Sequence, residues 1–297
     1  MTGSCFDYFC QTQQKYMTGI NYHTHTLYSD GKQEAIAYVE EALRQGMTAI
    51  GFSDHSPLPF DNPFSLKREH LLQYRDEIRN LQQQFDGRIR IHLALEMDYV
   101  PQMTQRFDEL KSEADLDYVI GSVHLVGSAH QDNLWFTDGP DAAVYDQGLN
   151  DFYGGDIRKG VKAFYDQTNE MIVNETFDVI GHFDKIKMHN QNRYFREKEQ
   201  WYQNHIFETL HLIKEKGLIT EINTRGIYKK RCDSLYPSGW ILGEMKKMKI
   251  PVIISSDAHQ PEELQAEFPR AAETLMAAGY RSSMVFADGK WHEAPIV

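Results

Sequence analysis

The sequence predicts an α/β domain whose parallel strands close into a barrel. Short apolar strands alternate with amphipathic helices throughout, without a repeat or a linker. That alternation is the pattern of parallel strands joined by crossover helices. About seven such units in one domain favour a barrel over an open sheet. Residues able to bind metal also recur at strand ends, where a barrel collects side chains from every strand at one face.

Residues 1–17 are polar and mixed, and read as an N-terminal tail before a domain spanning 18–297; Met17 would serve equally well as a start. The first strand is carried by Ile20-Asn-Tyr-His23-Thr-His25. Its alternation places His23 and His25 on one face, so both imidazoles can reach one ion. The turn Ser29-Asp30-Gly31 can return a carboxylate over the same place. Residues 33–45 carry Ile36, Val39 and Leu43 at helical spacing, and Gly46 stops them. Thr48 to Ser53 is a short buried strand running into Asp54-His55 and the proline-rich loop 56–63. Leu71, Leu72, Tyr74, Ile78, Leu81 and Phe85 predict a helix over 67–85.

The third strand, 88–95, ends at Glu96, and a helix near 103–113 precedes the fourth, 117–124, which ends at His124. Residues 126–156 are rich in Gly, Asp and aromatics and read as irregular. A connection that long in a compact domain is usually functional. A helix over 157–176 leads to the strand 178–182, ending at His182, and a helix over 196–216 is capped by Gly217. The strand 218–223 is followed by a second irregular loop, 226–238, then a helix over 239–248 and the strand 250–257. A last helix, 262–278, stops at Gly279, and 283–286 predicts one final strand.

Composition narrows the function classes. The 297 residues are 41% hydrophobic with 25% charged, enough for a substantial core and too few charges for extensive disorder. A net charge of −12 disfavours general nucleic-acid binding. Cys5, Cys10 and Cys232 form neither a paired framework nor a thiolate metal motif, which favours a reducing cytoplasm. No membrane span and no signal-peptide pattern is expected.

Six of the thirteen histidines obey the strand-end rule: His23, His25, His55, His124, His182 and His259, with Glu96 and Asp257 beside them. The other seven, His70, His92, His130, His189, His205, His211 and His292, fall on helices, mid-strand or in loops, where packing or solvent is expected. His23-Thr-His25 with Ser29-Asp30-Gly31, Ser53-Asp54-His55, Glu96, Gly121-Ser-Val-His124, Gly181-His182 and Ser256-Asp257-Ala-His259 together resemble the polymerase-and-histidinol-phosphatase (PHP) family. The resemblance runs from about residue 20 to 260, with the motifs in family order.

It implies a distorted (β/α)7 TIM-like barrel holding three divalent metal ions. His23, His25, Glu96 and Asp257 would hold one ion; Glu96 would bridge to a second, completed by His124 and His182; Asp30, His55 and His259 would hold the third. Some members carry histidine at the Asp30 position. Imidazoles and carboxylates without thiolate suit Zn, Mn or Fe.

Beyond the ligands, Arg158 and Arg225 read as forks for phosphate oxygens. Asn223 is a candidate substrate contact, and Asp257 and Asp54 are candidates for proton handling. Glu221 is either substrate-facing or structural, and Asp184 reads as an outer support like Asp54. Tyr236-Pro-Ser238 resembles a stretch of the family's histidinol-phosphatase branch. The implied activity is therefore hydrolysis of L-histidinol phosphate, by attack of a metal-bound hydroxide on phosphorus. The alternatives are a phosphatase or phosphodiesterase for another small ester, such as a nucleotide, and a non-catalytic binding module. The implied partner is a small phosphomonoester, with neither nucleic acid nor membrane.

Overall fold

The computed structural model describes residues 19–128 and 130–296. The predicted tail, with Cys5 and Cys10, lies outside the described residues. Seven parallel strands form one sheet in chain order: β1 (Ile20–Asn21), β2 (Ala49–Phe52), β3 (Arg90–Asp98), β4 (Tyr118–Ser122), β5 (Val179–Ile180), β6 (Ile219–Asn223) and β7 (Val252–Ser255). Just beyond the ends of β1 and β7, Thr24 pairs with Ala258 in a parallel bridge. His25 N–H donates to the Ala258 carbonyl at 2.8 Å, and Ala258 N–H to the His23 carbonyl at 3.1 Å. The first and last strands thus meet, and the sheet is a nearly closed seven-stranded barrel. Closure is made by the residues that carry the candidate ligands.

The helices are α1 (Ala35–Arg44), α2 (Leu71–Gln84), α3 (Phe107–Ala114), α4 (Ala142–Tyr153), α5 (Ile157–Asn174), α6 (Gln200–Lys216), α7 (Gly239–Lys247) and α8 (Phe268–Ala277). Their apolar stripes bury one large cluster against the barrel's outer face, including Val39, Ile78, Val161, Leu210 and Leu275. A second cluster fills the barrel from the end at which the strands begin: Tyr22, Ala49, Ala94, Tyr118, Ile120, Val179, Ile219 and Ile253. Space there is tight, since a Cβ on Gly51 would stand 1.9 Å from the Tyr118 hydroxyl oxygen.

Two regions differ from expectation. The single strand expected at 283–286 is a hairpin, β8 (Ser282–Ala287) with β9 (Lys290–Pro295), antiparallel about Asp288-Gly289. Both turn residues have positive φ, 52° and 72°, the backbone that Asp-Gly supplies in two-residue hairpins. Phe286 N–H donates to the Tyr22 hydroxyl at 2.7 Å, and Trp291 packs on Tyr22 and Tyr118, so the hairpin caps the strand-start end.

The stretch 126–156, expected to be irregular, contains α4 and a short antiparallel ribbon of Leu125–Val126 with Trp135–Phe136. Asp141 caps α4 by accepting from Ala143 N–H at 2.8 Å, and Gly154 ends it at φ 61°. The pattern was disguised by Gly148 in mid-helix and by the exposed Val144 and Phe152. Gly148 is there because the Trp135 indole presses on α4, where a Cβ would meet its Cδ1 at 2.2 Å. The loop predicted at 226–238 is largely irregular, but its first three residues belong to a single helical turn, Arg225–Tyr228. No helix among the described residues is long and apolar enough to cross a membrane.

Candidate metal centre

The barrel strands deliver nine histidines and carboxylates to one mouth. His23 and His25 share a face just past β1, as alternation requires. His23 Nε2 lies 3.2 Å from Glu96 Oε2 and 3.9 Å from Asp257 Oδ1; His25 Nε2 lies 3.6 and 3.3 Å from the same two oxygens. On the other oxygen of Glu96, His182 Nε2 stands at 2.9 Å and His124 Nε2 at 3.4 Å, with the two ring nitrogens 3.4 Å apart. Beyond His25, Asp30 Oδ1 is 3.1 Å from His259 Nε2 and 3.8 Å from His55 Nε2. Glu96 also approaches His55 Nδ1, at 3.1 Å.

Burial makes this arrangement informative. His23 Nε2, both ring nitrogens of His25, His55 Nδ1 and Asp30 Oδ1 are buried and lack a hydrogen-bond partner. Buried polar atoms are normally satisfied, because desolvating one without a partner costs about 1–3 kcal/mol. Here several converge on short gaps between carboxylate oxygens, and a divalent cation would satisfy them together. Nitrogen and oxygen donors without sulfur fit ions such as Zn, Mn or Fe. Among the described residues, three groups have the closeness for this: His25-Asp30-His55-His259, His23-His25-Asp257 and His55-Glu96-His124. The first group shares His25 with the second and His55 with the third, as expected of adjacent ions.

Electrostatics favours ionised carboxylates. Burial pushes the Glu96 carboxyl up, but the His23, His124 and His55 rings outweigh it and hold the group well below the usual range. Asp257 is likewise held well below its ordinary value against burial, by Arg225, His23 and Lys185. For His25, burial together with His259 and His55 lowers the ring's basicity, leaving it an electron-pair donor.

Two buried carboxylates behind the ligands had not been given a settled place. Glu221 Oε1 is 2.5 Å from His23 Nδ1, and its Oε2 accepts from His182 N–H at 2.9 Å and from Asn223 Nδ2 at 3.1 Å. Asp98 Oδ1 is 2.8 Å from His124 Nδ1 and accepts its backbone N–H at 3.1 Å. Each holds the Nδ1 proton of a histidine, which turns the Nε2 lone pair toward the centre. Asp98 was legible as the same-face neighbour of Glu96 two positions on, and Glu221 as that of Asn223.

Four further candidates lie off the cavity wall. Arg158 does not reach the cavity: its side chain is 67% exposed, 3.9 Å from Glu199 and stacked over Trp201 at the start of α5. The helix, not the preceding loop, sets its direction. Asn223 is fully buried and off the cavity wall, donating to Glu221 and, at 3.3 Å, to Asp257, so it positions carboxylates rather than meeting substrate. Asp54 is also fully buried. It accepts from Thr26 N–H at 2.7 Å and Ser29 Oγ at 2.5 Å, which pins the loop carrying Asp30. Asp184 holds Lys187 at 2.6 Å and Ser238 N–H at 2.9 Å, anchoring the Tyr236–Ser238 turn.

Arg225 lies on the cavity wall, with Nη1 donating to the Asp257 carbonyl at 2.5 Å and 2.8 Å from His259 Nδ1. Lys185, absent from the sequence reading, sits buried with Nζ 2.7 Å from Asp138 Oδ2 and 3.6 Å from Asp257 Oδ2. Burial would strip its charge, but Asp138, Asp257 and Glu96 keep it an ammonium. With Lys32, Lys229 and Arg231 these cations border a cavity of about 270 Å³ above the histidines.

Residues 21–225 match the family described as PHP domain. A probable histidinol-phosphatase of Deinococcus radiodurans is 30% identical over 271 residues, covering 90% of this chain and 96% of its own. The histidinol-phosphatase of Bacillus subtilis is 28% identical, covering 80% and 92%. The fold is shared with histidinol phosphate phosphatase from Lactococcus lactis, solved with Zn, L-histidinol and phosphate. Its TM-score is 0.69 at 23% identity, over 94% of this chain and 99% of that one.

Proposed function

The chain belongs to the PHP family, and from that premise we propose that residues 18–297 act as one domain hydrolysing L-histidinol phosphate to L-histidinol and phosphate, a step of histidine biosynthesis. One observation carries the reading: buried, unpartnered imidazole and carboxylate atoms converge beneath a small cavity bordered by five cations. Phosphoryl transfer needs chiefly positioning and neutralisation of charge, and this cavity offers both. Its volume suits a small ester, and the −12 net charge counts against a nucleic-acid substrate. The cysteine content fits a cytoplasmic enzyme.

We assign His23, His25, Glu96 and Asp257 to one divalent ion, Glu96, His124 and His182 to a second, and Asp30, His55 and His259 to a third. Ions held there supply positive charge that polarises a phosphoryl oxygen and acidifies a water near neutral pH. Glu221 and Asp98 hold His23 and His124 in the tautomer with Nε2 free. Lys185, Arg225 and Arg231 face the cavity and donate hydrogen bonds to the phosphoryl oxygens, offsetting charge as the ester bond breaks. Asp257, on the cavity wall and 3.6 Å from Lys185 Nζ, would hold cation and orient a water toward phosphorus.

The test is phosphate release from L-histidinol phosphate against a panel of monoesters, using metal-replete protein and a His124→Ala control. A strong preference for L-histidinol phosphate, lost in the variant, supports the reading. Equal turnover of unrelated esters with metal bound overturns the substrate.

A further inference from the structure

The cavity has a second wall that the phosphate chemistry does not use. Phe64 and Phe136 both line it, stacked with ring centroids 5.6 Å apart and planes 6° from parallel. Each comes from a connection outside the barrel strands: Phe64 follows the proline-rich loop after β2, and Phe136 ends the ribbon after β4. Neither ring is sunk in the core, as both are only partly buried.

Both are nonetheless held in register with the metal-ligating side chains. Leu66 N–H donates to the His55 carbonyl at 3.0 Å, tying down the loop that carries Phe64, and the Phe64 ring meets His55 edge-on at 5.3 Å. Thr137, next to Phe136, donates through its backbone N–H at 2.9 Å and its hydroxyl at 3.0 Å to the His124 carbonyl. Gly139 keeps the ring's flank clear, since a Cβ there would stand 2.7 Å from Phe136 Cε1.

Of the charges around the mouth, Lys185 stands on Asp138, whose carboxylate is 3.6 Å from His124 Nε2. Arg225 gathers at Asp257 and His259, and Lys229 pairs with Glu263 beside them. The aromatic pair borders His55 and His124. A phosphate drawn to the cations and the metal positions would therefore project its ester substituent toward the two phenyl faces.

We propose that Phe64 and Phe136 form the leaving-group subsite, selecting phosphomonoesters whose alcohol carries a flat ring on a short aliphatic stem. This rests on the reading of the centre as a phosphomonoesterase site. A flat ring, aromatic or imidazole, stacks on such faces with a gain beyond buried area, while a ringless alcohol leaves them wet. The wall is a selector, so it acts on how the ester binds and leaves the phosphoryl end alone.

The experiment compares wild type with Phe64→Leu, Phe136→Leu and Phe136→Tyr on three esters: L-histidinol phosphate, 2-phenylethyl phosphate and 2-aminoethyl phosphate. Metal content and thermal midpoint are measured on each protein. Leucine keeps apolar bulk and removes the flat face, so kcat/KM for both ring-bearing esters falls about tenfold, mainly through KM. The ringless ester stays within about twofold, and Phe136→Tyr retains wild-type discrimination. The proposal is overturned if all three esters fall together, if none moves, or if wild type does not discriminate ring-bearing from ringless esters. Failure of the substrate reading is separate: wild type would then prefer 2-phenylethyl phosphate over L-histidinol phosphate, while the leucine variants still lost the preference for ring-bearing over ringless esters.

Discussion

His23 and Glu221, nearly two hundred residues apart in the chain, meet inside the barrel with Nδ1 and Oε1 2.5 Å apart and neither side chain exposed. The same carboxylate accepts from His182 N–H and Asn223 Nδ2, and Ser255 Oγ also donates to it, so it ties the ends of β5, β6 and β7 to the first candidate ligand. Replacing it removes the partner that fixes the His23 tautomer. Glu221→Gln should weaken metal retention about 10- to 100-fold, the usual cost of losing such a support. Metal content after dialysis against graded chelator reads this directly, and unchanged retention would refute the role.

Lys185 should matter to turnover although it is not itself a candidate ligand. Its ammonium lies between Asp138 and Asp257 and faces the cavity. Lys185→Met should lower kcat/KM by about 10²-fold, the scale of one lost transition-state donor, with Lys185→Arg recovering part. The variant also leaves two buried carboxylates short of a counter-ion, so its thermal midpoint should fall with metal bound.

Arg158 and Arg225 should separate cleanly. The exposed Arg158–Glu199 contact, at 3.9 Å, is screened by solvent and contributes little. Arg158→Ala should therefore keep kcat/KM within about twofold of wild type. Arg225 is buried against Asp257 and His259, and Arg225→Ala should cost at least about 10²-fold. Matching losses in steady-state kinetics would return Arg158 to the site.

Chelation should destabilise as well as inactivate. The unpartnered atoms of His23, His25, His55 and Asp30 exist only in the folded state, so ions binding there stabilise it by mass action. Removing them should lower the thermal midpoint and abolish phosphate release, and Zn, Mn or Fe should restore both to different extents. An unchanged midpoint with activity intact would argue against any resident ion.

His92 predicts an acid-sensitive component of stability away from the centre. It is mid-strand in β3 against Tyr22 and Phe286, and burial lowers its pKa from 6.5 to about 4, with Asp117, Arg90 and Arg79 as lesser influences. Between those values the unfolded chain binds the proton and the folded one does not, so stability falls as pH drops through that window. The contribution is complete above pH 6.5 and, at about 1.4 kcal/mol per pKa unit, totals about 3 kcal/mol at most. Urea unfolding of wild type and His92→Phe at pH 7.5 and 5 should show a smaller pH effect in the variant. Parallel curves would remove His92 as the cause.

The chain's local chemistry made much of this legible. Alternation in Tyr22-His23-Thr24-His25 put two imidazoles on one face before any contact was known, and strand ends marked His55, Glu96, His124, His182 and Asp257. Local signals failed where a residue's partner was distant. Gly148 reads as a helix breaker until Trp135 is seen against it. Arg158 reads as a phosphate fork until α5 turns it toward Trp201.

By itself, the sequence determined the order of strands and helices, the class of ligand atoms and the face on which they stand, because periodicity and side-chain chemistry act over a few residues. Tertiary structure alone decided which carboxylate backs which histidine, that Asp54 and Asn223 are buried behind the cavity wall, and that Lys185, Phe64 and Phe136 share a cavity with the centre. Those relations depend on barrel closure at Thr24 and Ala258, which brings together groups separated by most of the chain. Burial then turns each meeting into a fixed charge or hydrogen bond.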